Sequence, residues 1–284
     1  MSAQVLEPIL ARAVAVIANA DALLITAGAG MGVDSGLPDF RGPEGFWKAY
    51  PAIAKLGLSF SQMANPTWFE TDPALAWAFY GHRLNLYRRT IPHEGFQLLL
   101  QAATQKTRGY FIFTSNVDGH FKKAGFAPDR IVECHGSIHH LQCAQNCCDS
   151  IWDAAGTDVT VDEASFRATG TLPRCKHCGK LARPNILMFG DPIWQSDRSH
   201  TQETHFNSWI RKLETGSRLA IVEIGAGSAV PTVRQTSEHI ARLTGGTLIR
   251  INPREPEVPK GHLSLPVNAA DGLKRIFRST GRAG

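Results

Sequence analysis

A chain of 284 residues, 43% of them hydrophobic, can form one large domain, or a large domain with a smaller companion, around a substantial core. Thirty Lys and Arg residues against 25 Asp and Glu give a net charge of +5, which permits acidic partners, but the charge is scattered along the chain. No apolar run approaches the roughly 20 residues that span a bilayer, and Glu7 and Arg12 interrupt the N-terminal apolar pattern, so we expect neither a signal peptide nor a membrane partner. A cytoplasmic location is the expectation.

Short apolar runs alternate with longer amphipathic ones along the chain. The predicted strands are residues 22–26, 110–114, 130–133, 186–189, 219–224 and 247–251. The predicted helices are residues 74–89, 94–105, 204–214, 230–243 and 270–278. This alternation favours an α/β fold, a Rossmann-like doubly wound parallel sheet with helices on both faces. The basic segment 274–278 has helical spacing, which indicates a solvated helix face rather than a specific nucleic-acid site.

Two stretches break the alternation. Residues 43–72 are rich in Gly, Pro and aromatics and are predicted to be a flexible cofactor-binding loop or the helical part of a small domain. Residues 137–183 hold five of the six cysteines and are predicted to form a small inserted module. The remainder, residues 1–42, 73–136 and 184–284, is assigned to the Rossmann-like domain.

The most informative segment is residues 23–42, where an apolar run ends in a tight set of glycines that begins at Gly28. Such a turn presents backbone N–H groups to a phosphate. A dehydrogenase-type G-x-G-x-x-G frame fails here, because Val33 stands at the third glycine position and residues 47–50 lack the acid that would hold a ribose. The block ends instead in Asp39-Phe40-Arg41, an acid, an aromatic and a base. As a whole it closely resembles the first nucleotide-binding motif of the sirtuins, the NAD-dependent protein-lysine deacylases.

Further polar residues follow the predicted strands, where ligands of doubly wound sheets bind. The segment 114–118 resembles the sirtuin block Thr-Gln-Asn-Ile-Asp, with Ser115 in place of glutamine, and Gly32 stands where the family has serine. The segment 225–231 resembles a divergent Gly-Thr-Ser-x-x-Val-x-Pro motif. The cofactor-binding residues implied by the resemblance are Gly28, Ala29, Gly30, Asp39, Phe40, Arg41, Ser115, Asn116, Asp118, Gly225, Ser228 and Asn252.

His135 follows a predicted strand and precedes the cysteine-rich module in the segment Glu-Cys-His-Gly. It resembles the His-Gly of the sirtuins, whose histidine is the general base. Imidazole suits that role because its unperturbed pKa of about 6.5 leaves much of it neutral near pH 7. The catalytic residue implied is His135.

Two cysteine pairs indicate a structural zinc site. Cys143 with Cys147 or Cys148, and Cys175 with Cys178, have the spacing of two tight turns that can surround a tetrahedral Zn²⁺. We choose Cys147 over Cys148, and disulfides are disfavoured in a reducing compartment. A zinc ribbon that binds nucleic acid would need neither the glycine block nor His135.

Two features concern the substrate. The segment 181–191 resembles the sirtuin region that offers a strand edge to a peptide, a form of β-augmentation, and it contains Phe189 and Gly190. Tyr80 and Arg83, three residues apart on a predicted helix, resemble the Tyr-x-x-Arg of sirtuins that remove acidic acyl groups. A phenol and a guanidinium could together hold a distal carboxylate such as that of a succinyl or malonyl group. An ordinary amphipathic helix with exposed arginines is the alternative.

The resemblance implies a reaction in which the acyl-lysine amide oxygen attacks the ribose carbon of NAD and nicotinamide leaves. Phe40 would shield that carbon, and His135 would deprotonate a ribose hydroxyl. Free lysine, nicotinamide and O-acyl-ADP-ribose are the products. Acylated-lysine proteins or peptides are then the partners, with a monomer favoured. An NAD hydrolase or ADP-ribosyltransferase on the same scaffold, and a non-catalytic NAD-sensing module, remain the alternatives.

Overall fold

The computed structural model describes residues 3–38, 42–213 and 216–279. Its strands, in chain order, are β1 Ala22–Ala27, β2 Tyr110–Thr114, β3 Ile131–Glu133, β4 Gly136–Cys143, β5 Trp152–Asp153, β6 Thr160–Asp162, β7 Arg167–Thr169, β8 Ala182–Ile186, β9 Leu219–Ile224, β10 Thr247–Ile251 and β11 Leu263–Leu265. Its helices are α1 Ala3–Asn19, α2 Gly30–Val33, α3 Gly42–Ala49, α4 Pro51–Lys55, α5 Phe60–Met63, α6 Trp68–Thr71, α7 Pro73–Arg89, α8 Glu94–Thr104, α9 His120–Lys123, α10 Asp197–Arg211, α11 Thr232–Thr244 and α12 Ala269–Ser279, with a 3₁₀ turn at Pro128–Arg130.

The main sheet has six parallel strands in the order β11-β10-β9-β1-β2-β3. Strands β1 and β9 are buried along their whole length, as expected of a parallel sheet covered on both faces. Helices α1, α8 and α12 pack on one face and α10 and α11 on the other. This arrangement confirms the predicted Rossmann-like doubly wound sheet. No helix among the described residues is long and apolar enough to cross a membrane.

A second set of strands carries the cysteine-rich segment. Strands β5, β4 and β8 form an antiparallel sheet, and β6 and β7 form a hairpin. Strand β4 begins immediately after His135. The first residues of this small sheet therefore lie beside the carboxyl end of β3, the edge strand of the main sheet.

The segment 43–72, for which the sequence left a loop and the helical part of a small domain open, is largely helical. Helices α3 to α6 occupy most of it, and they bury Phe46, Ile53 and Met63 against α7. Helix α7 begins after its N-cap residue Asp72. The Asp72 side chain accepts a hydrogen bond from Leu75 N at 3.2 Å, and aspartate is a preferred residue at this position. Because the apolar residues are divided among several short helices, no long periodic pattern reveals them.

Two predicted elements differ in position. The strand expected at 186–189 lies at Ala182–Ile186, and it includes Arg183 and Asn185, whose side chains are fully buried. Arg183 can be accommodated inside a buried strand because it forms a fully buried ion pair with Asp191. The helix expected at 204–214 begins at Asp197, because its polar first turns carry little of the apolar pattern.

Candidate functional site

Two glycine turns meet at the carboxyl ends of β1 and β9. Gly30 N donates to Gly225 O at 3.0 Å, and Gly28 N donates to Ile224 O at 3.0 Å. A Cβ on Gly28 would lie 2.7 Å from Ala226 Cα, and a Cβ on Gly225, whose φ is +61°, would lie 2.4 Å from the carbonyl carbon of Gly30. Only glycine permits this backbone-to-backbone contact. The sequence-predicted residues Gly28, Gly30 and Gly225 are thus brought together, and the exposed Ala29 lies between the first two.

The polar segment after β2 lies against the first glycine turn. Asn116 Nδ2 donates to Gly28 O at 3.0 Å, and Ser115 N donates to Ala27 O at 3.2 Å. Asp118 is buried, and its Oδ1 accepts a hydrogen bond from His120 N at 2.9 Å. The aspartate carboxylate therefore accepts from the first backbone N–H of the short helix α9, and the Asn116 side chain contacts the turn after β1.

The second turn and the end of β10 are linked by Glu255, a residue that the sequence did not single out. Its carboxylate accepts from Ser228 N at 3.0 Å and from the Ser228 hydroxyl. Asn252 is fully buried, donates to Ala226 O at 2.8 Å and accepts from Glu255 N at 3.1 Å. Ser228 and Asn252 are therefore joined into one polar group at the β9–β10 side of the sheet.

His135 is half-buried at the junction between β3 and β4. Its backbone oxygen accepts from Leu187 N at 3.0 Å, which ties the histidine to the end of β8. Burial lowers the pKa of its imidazole below the ordinary value of 6.5, so the ring is neutral at pH 7. A neutral imidazole can accept a proton. Asp39, Phe40 and Arg41, which complete the predicted site, lie outside the described residues.

The predicted substrate pair on α7 is buried in an aromatic cluster. The Arg83 guanidinium lies 5.2 to 5.7 Å from the ring centroids of Phe79, Tyr87 and Phe60. Its Nε and Nη2 donate to Tyr87 Oη. The Tyr80 hydroxyl is buried and has no hydrogen-bond partner among the residues that the structure describes. Tyr87 was missed in the sequence, although its spacing of four residues from Arg83 on one helix is a usable signal.

Phe189 approaches the same cluster through Phe60, and Gly190 follows it in the chain with a φ of +64°. The Phe189 ring is 43% exposed and lies 6.1 Å, centroid to centroid, from the ring of Phe60, which also contacts Arg83. Phe189 N donates to Ala64 O at 2.9 Å. The exposed residues after β8 and the buried guanidinium of α7 are thus two ends of one continuous set of contacts.

Four cysteine thiols converge in the small sheet. The Sγ atoms of Cys143, Cys147, Cys175 and Cys178 all lie within 4.8 Å of one another, and Cys147 Sγ is 3.6 Å from Cys175 Sγ. A tetrahedral Zn²⁺ with Zn–S bonds of about 2.3 Å requires sulfur separations of about 3.8 Å, so the four thiols fit zinc. The fourfold cluster contains Cys147, and Cys148 lies beside it, 3.6 Å from Cys147 Sγ. Cys134 is buried elsewhere, and burial raises the pKa of its thiol to about 12.

A family model described as the Sir2 family matches residues 28–217, more than half of the chain. The chain belongs to the Sir2 family. The match begins at the first glycine turn and continues through His135 and all four clustered cysteines. The sirtuin resemblance of the sequence is thereby confirmed.

Curated relatives and solved structures match nearly the whole chain. An NAD-dependent protein deacylase of Aquifex aeolicus is 25% identical over 260 residues, which cover 90% of this sirtuin and 93% of the relative. NAD-dependent protein deacylase 2 of Pyrobaculum aerophilum is 28% identical, with 94% of each chain covered. A Sir2 homologue solved as a complex with NAD superimposes with a TM-score of 0.68 at 25% identity, covering 96% of this chain and 94% of that one.

Proposed function

We propose that this sirtuin removes acyl groups from protein lysines with NAD as co-substrate, giving free lysine, nicotinamide and O-acyl-ADP-ribose. The observation that carries the proposal is the contact between the glycine turns that follow β1 and β9. These turns and His135 all lie at the carboxyl ends of the parallel strands. The NAD-dependent deacylases among the relatives and the NAD complex of a structural neighbour support it. NAD supplies the electrophilic ribose carbon that accepts the acyl oxygen.

The two glycine turns are proposed to hold the diphosphate through backbone N–H groups other than those of Gly28 and Gly30, which already donate to carbonyl oxygens. The close backbone contact fixes the two turns relative to each other at the carboxyl ends of β1 and β9, where doubly wound sheets bind ligands. Asn116 is proposed to bind the nicotinamide ribose and Asp118 the nicotinamide amide. The polar group of Ser228 and Asn252 is proposed to bind the adenosine ribose, since Glu255 brings a carboxylate that suits hydroxyl groups better than phosphates.

His135 is proposed as the general base that accepts a proton from a ribose hydroxyl. Its lowered pKa supports this role, because the neutral form predominates at physiological pH. The four-thiolate cluster leaves no open coordination position, so zinc is proposed to hold β4 and its neighbours together rather than to react.

Acidic acyl groups such as succinyl and malonyl are proposed as preferred substrates. The Tyr80 hydroxyl carries this part of the proposal, because it is a buried donor without a partner in the described chain. Burial raises its pKa to about 12, which keeps it protonated. A carboxylate that entered the aromatic cluster would meet this hydroxyl together with the Arg83 guanidinium, and charge-assisted hydrogen bonds are the strong ones.

Product analysis tests the proposal. Acetyl-lysine and succinyl-lysine peptides are incubated with the protein, with and without NAD, and the products are identified by mass spectrometry. O-acyl-ADP-ribose and free lysine are expected, only with NAD present, and more rapidly from the succinyl peptide. Free ADP-ribose without peptide deacylation would indicate an NAD hydrolase instead.

A further inference from the structure

A cavity lies at the open edge of the main sheet, beside β3. Its volume is about 200 Å³, and none of Gly28, His135 or Gly225 lines it. The lining side chains come from α9, β3, β4 and α10, and the cavity also reaches Asn116 and Asp118 of the loop after β2. It is therefore separate from the glycine turns but shares one wall with the predicted nicotinamide end of the cleft.

Three basic side chains of this cavity contribute four buried nitrogen atoms with no hydrogen-bond partner in the described part of the chain: both ring nitrogens of His120, Nδ1 of His140 and Nη1 of Arg198. His120 is only 1% exposed. Leaving a buried polar atom without a hydrogen-bond partner is destabilising, and more so if the group is charged. The concentration of such atoms in one cavity indicates that a polar ligand supplies the missing hydrogen-bond partners.

The hydrogen-bonding capacity of these atoms defines the ligand. Arg198 Nη1 can only donate, and each neutral imidazole can donate from one nitrogen. Burial lowers the pKa of His140 to about 4, with Arg198 adding to the shift, so its ring is neutral at pH 7. The exposed Lys122 adds a second positive charge to the lining.

The two carboxylates in the lining already accept hydrogen bonds. Glu133 pairs with Arg198 Nη2, and Asp118 Oδ1 accepts from His120 N. Their charges offset those of Arg198 and Lys122, so the donors left for a ligand are Arg198 Nη1 and one N–H of each imidazole. We propose that this cavity binds a small oxyanion, an inorganic phosphate or a short carboxylate, through Arg198, His140 and His120.

Isothermal titration of the zinc-loaded, full-length protein with phosphate and with acetate, at constant ionic strength and without NAD or peptide, tests the proposal. Saturable binding of at least one anion is expected, and the anion that binds more tightly shows whether the ligand is a phosphate or a carboxylate. His140→Leu and His120→Phe should each weaken it about tenfold, since a hydrogen bond to a charged group is lost. His205→Leu, which changes an exposed histidine of α10 outside this cavity, should leave the affinity unchanged.

A crystal structure grown without either anion and then soaked in the tighter one gives a second readout. Density for the anion within hydrogen-bond distance of Arg198 Nη1 supports the proposal. Ordered water alone, or equal anion affinity in the wild type and in both folded variants, would overturn it. Because NAD is absent from both measurements, a negative result here is independent of the deacylase activity.

Discussion

The Arg83 guanidinium donates two hydrogen bonds to the phenol oxygen of Tyr87, from Nε at 3.0 Å and from Nη2 at 2.8 Å. The two residues are one helical turn apart on α7, and both are buried. Tyr87 therefore restrains the direction of the Arg83 guanidinium. If Arg83 recognises an acyl carboxylate, Tyr87 is its positioning residue.

The Tyr87→Phe variant is expected to lower kcat/KM for succinyl-lysine peptide about tenfold and to change that for acetyl-lysine peptide less than about twofold. It removes the oxygen that orients Arg83 while the ring remains, and a hydrogen bond to a charged group contributes about 1.5–3 kcal/mol. Steady-state kinetics on both peptides give the ratio. Tyr110→Phe, at the start of β2, is the matched control. Equal losses on both peptides would show a general packing effect instead.

The Arg83→Met variant is expected to reduce activity on succinyl-lysine far more than on acetyl-lysine, mainly through KM. Methionine fills the space of the aliphatic stem but offers no charge to the acyl carboxylate. Kinetics with the two peptides and circular dichroism of the folded variant are the measurements. A similar loss with acetyl-lysine would rule out the carboxylate anchor.

The acid limb of the pH profile of kcat/KM is expected to have its midpoint below 6.5. His135 has a lowered pKa because it is partly buried, so it stays neutral and active as the pH falls through 7 and is protonated only below its ordinary range. A midpoint above pH 7 would contradict this.

The His135→Ala variant should lose deacylation while its NAD affinity stays within a few-fold of wild type, and His205→Ala should retain activity.

The Gly28→Ala variant is expected to lose at least about tenfold in NAD affinity. The added methyl would lie 2.7 Å from Ala226 Cα, so the two turns must move apart. Because the displaced atoms belong to the main chain, this movement changes the geometry of the binding site. NAD titration followed by calorimetry measures the loss. Gly156→Ala is the control, because a Cβ there meets nothing within 4 Å and its φ is not positive. Unchanged NAD binding in a folded Gly28→Ala protein would place the cofactor elsewhere.

Cys147→Ser is expected to abolish stoichiometric zinc, whereas Cys148→Ser should retain it. The Sγ of Cys147 belongs to the group of four, and loss of one thiolate leaves an incomplete tetrahedral site. Elemental analysis gives the metal content, and thermal unfolding should report a lower Tm for Cys147→Ser because structural zinc contributes folding energy. The reverse result would assign the second ligand to Cys148.

Several features of this sirtuin follow from local sequence patterns. The strands Tyr110–Thr114, Leu219–Ile224 and Thr247–Ile251 coincide with the predicted ones, because short, mainly apolar runs are typical of strands buried on both faces. The glycine block, the motif around His135 and the paired cysteines could also be recognised, since the chemistry they support depends on residues close together in the chain.

Only the tertiary structure decided which side chains meet across long separations in sequence. The helices within 42–71 are short and are stabilised by contacts with α7, and strand Ala182–Ile186 contains a buried arginine whose carboxylate partner follows later in the chain. The grouping of Cys147 rather than Cys148 with the other three thiols, and the link of Ser228 to Glu255, likewise depend on how separate segments pack. Sequence periodicity reports one segment at a time, whereas packing and pairing energies arise between segments, so these relationships required the folded chain.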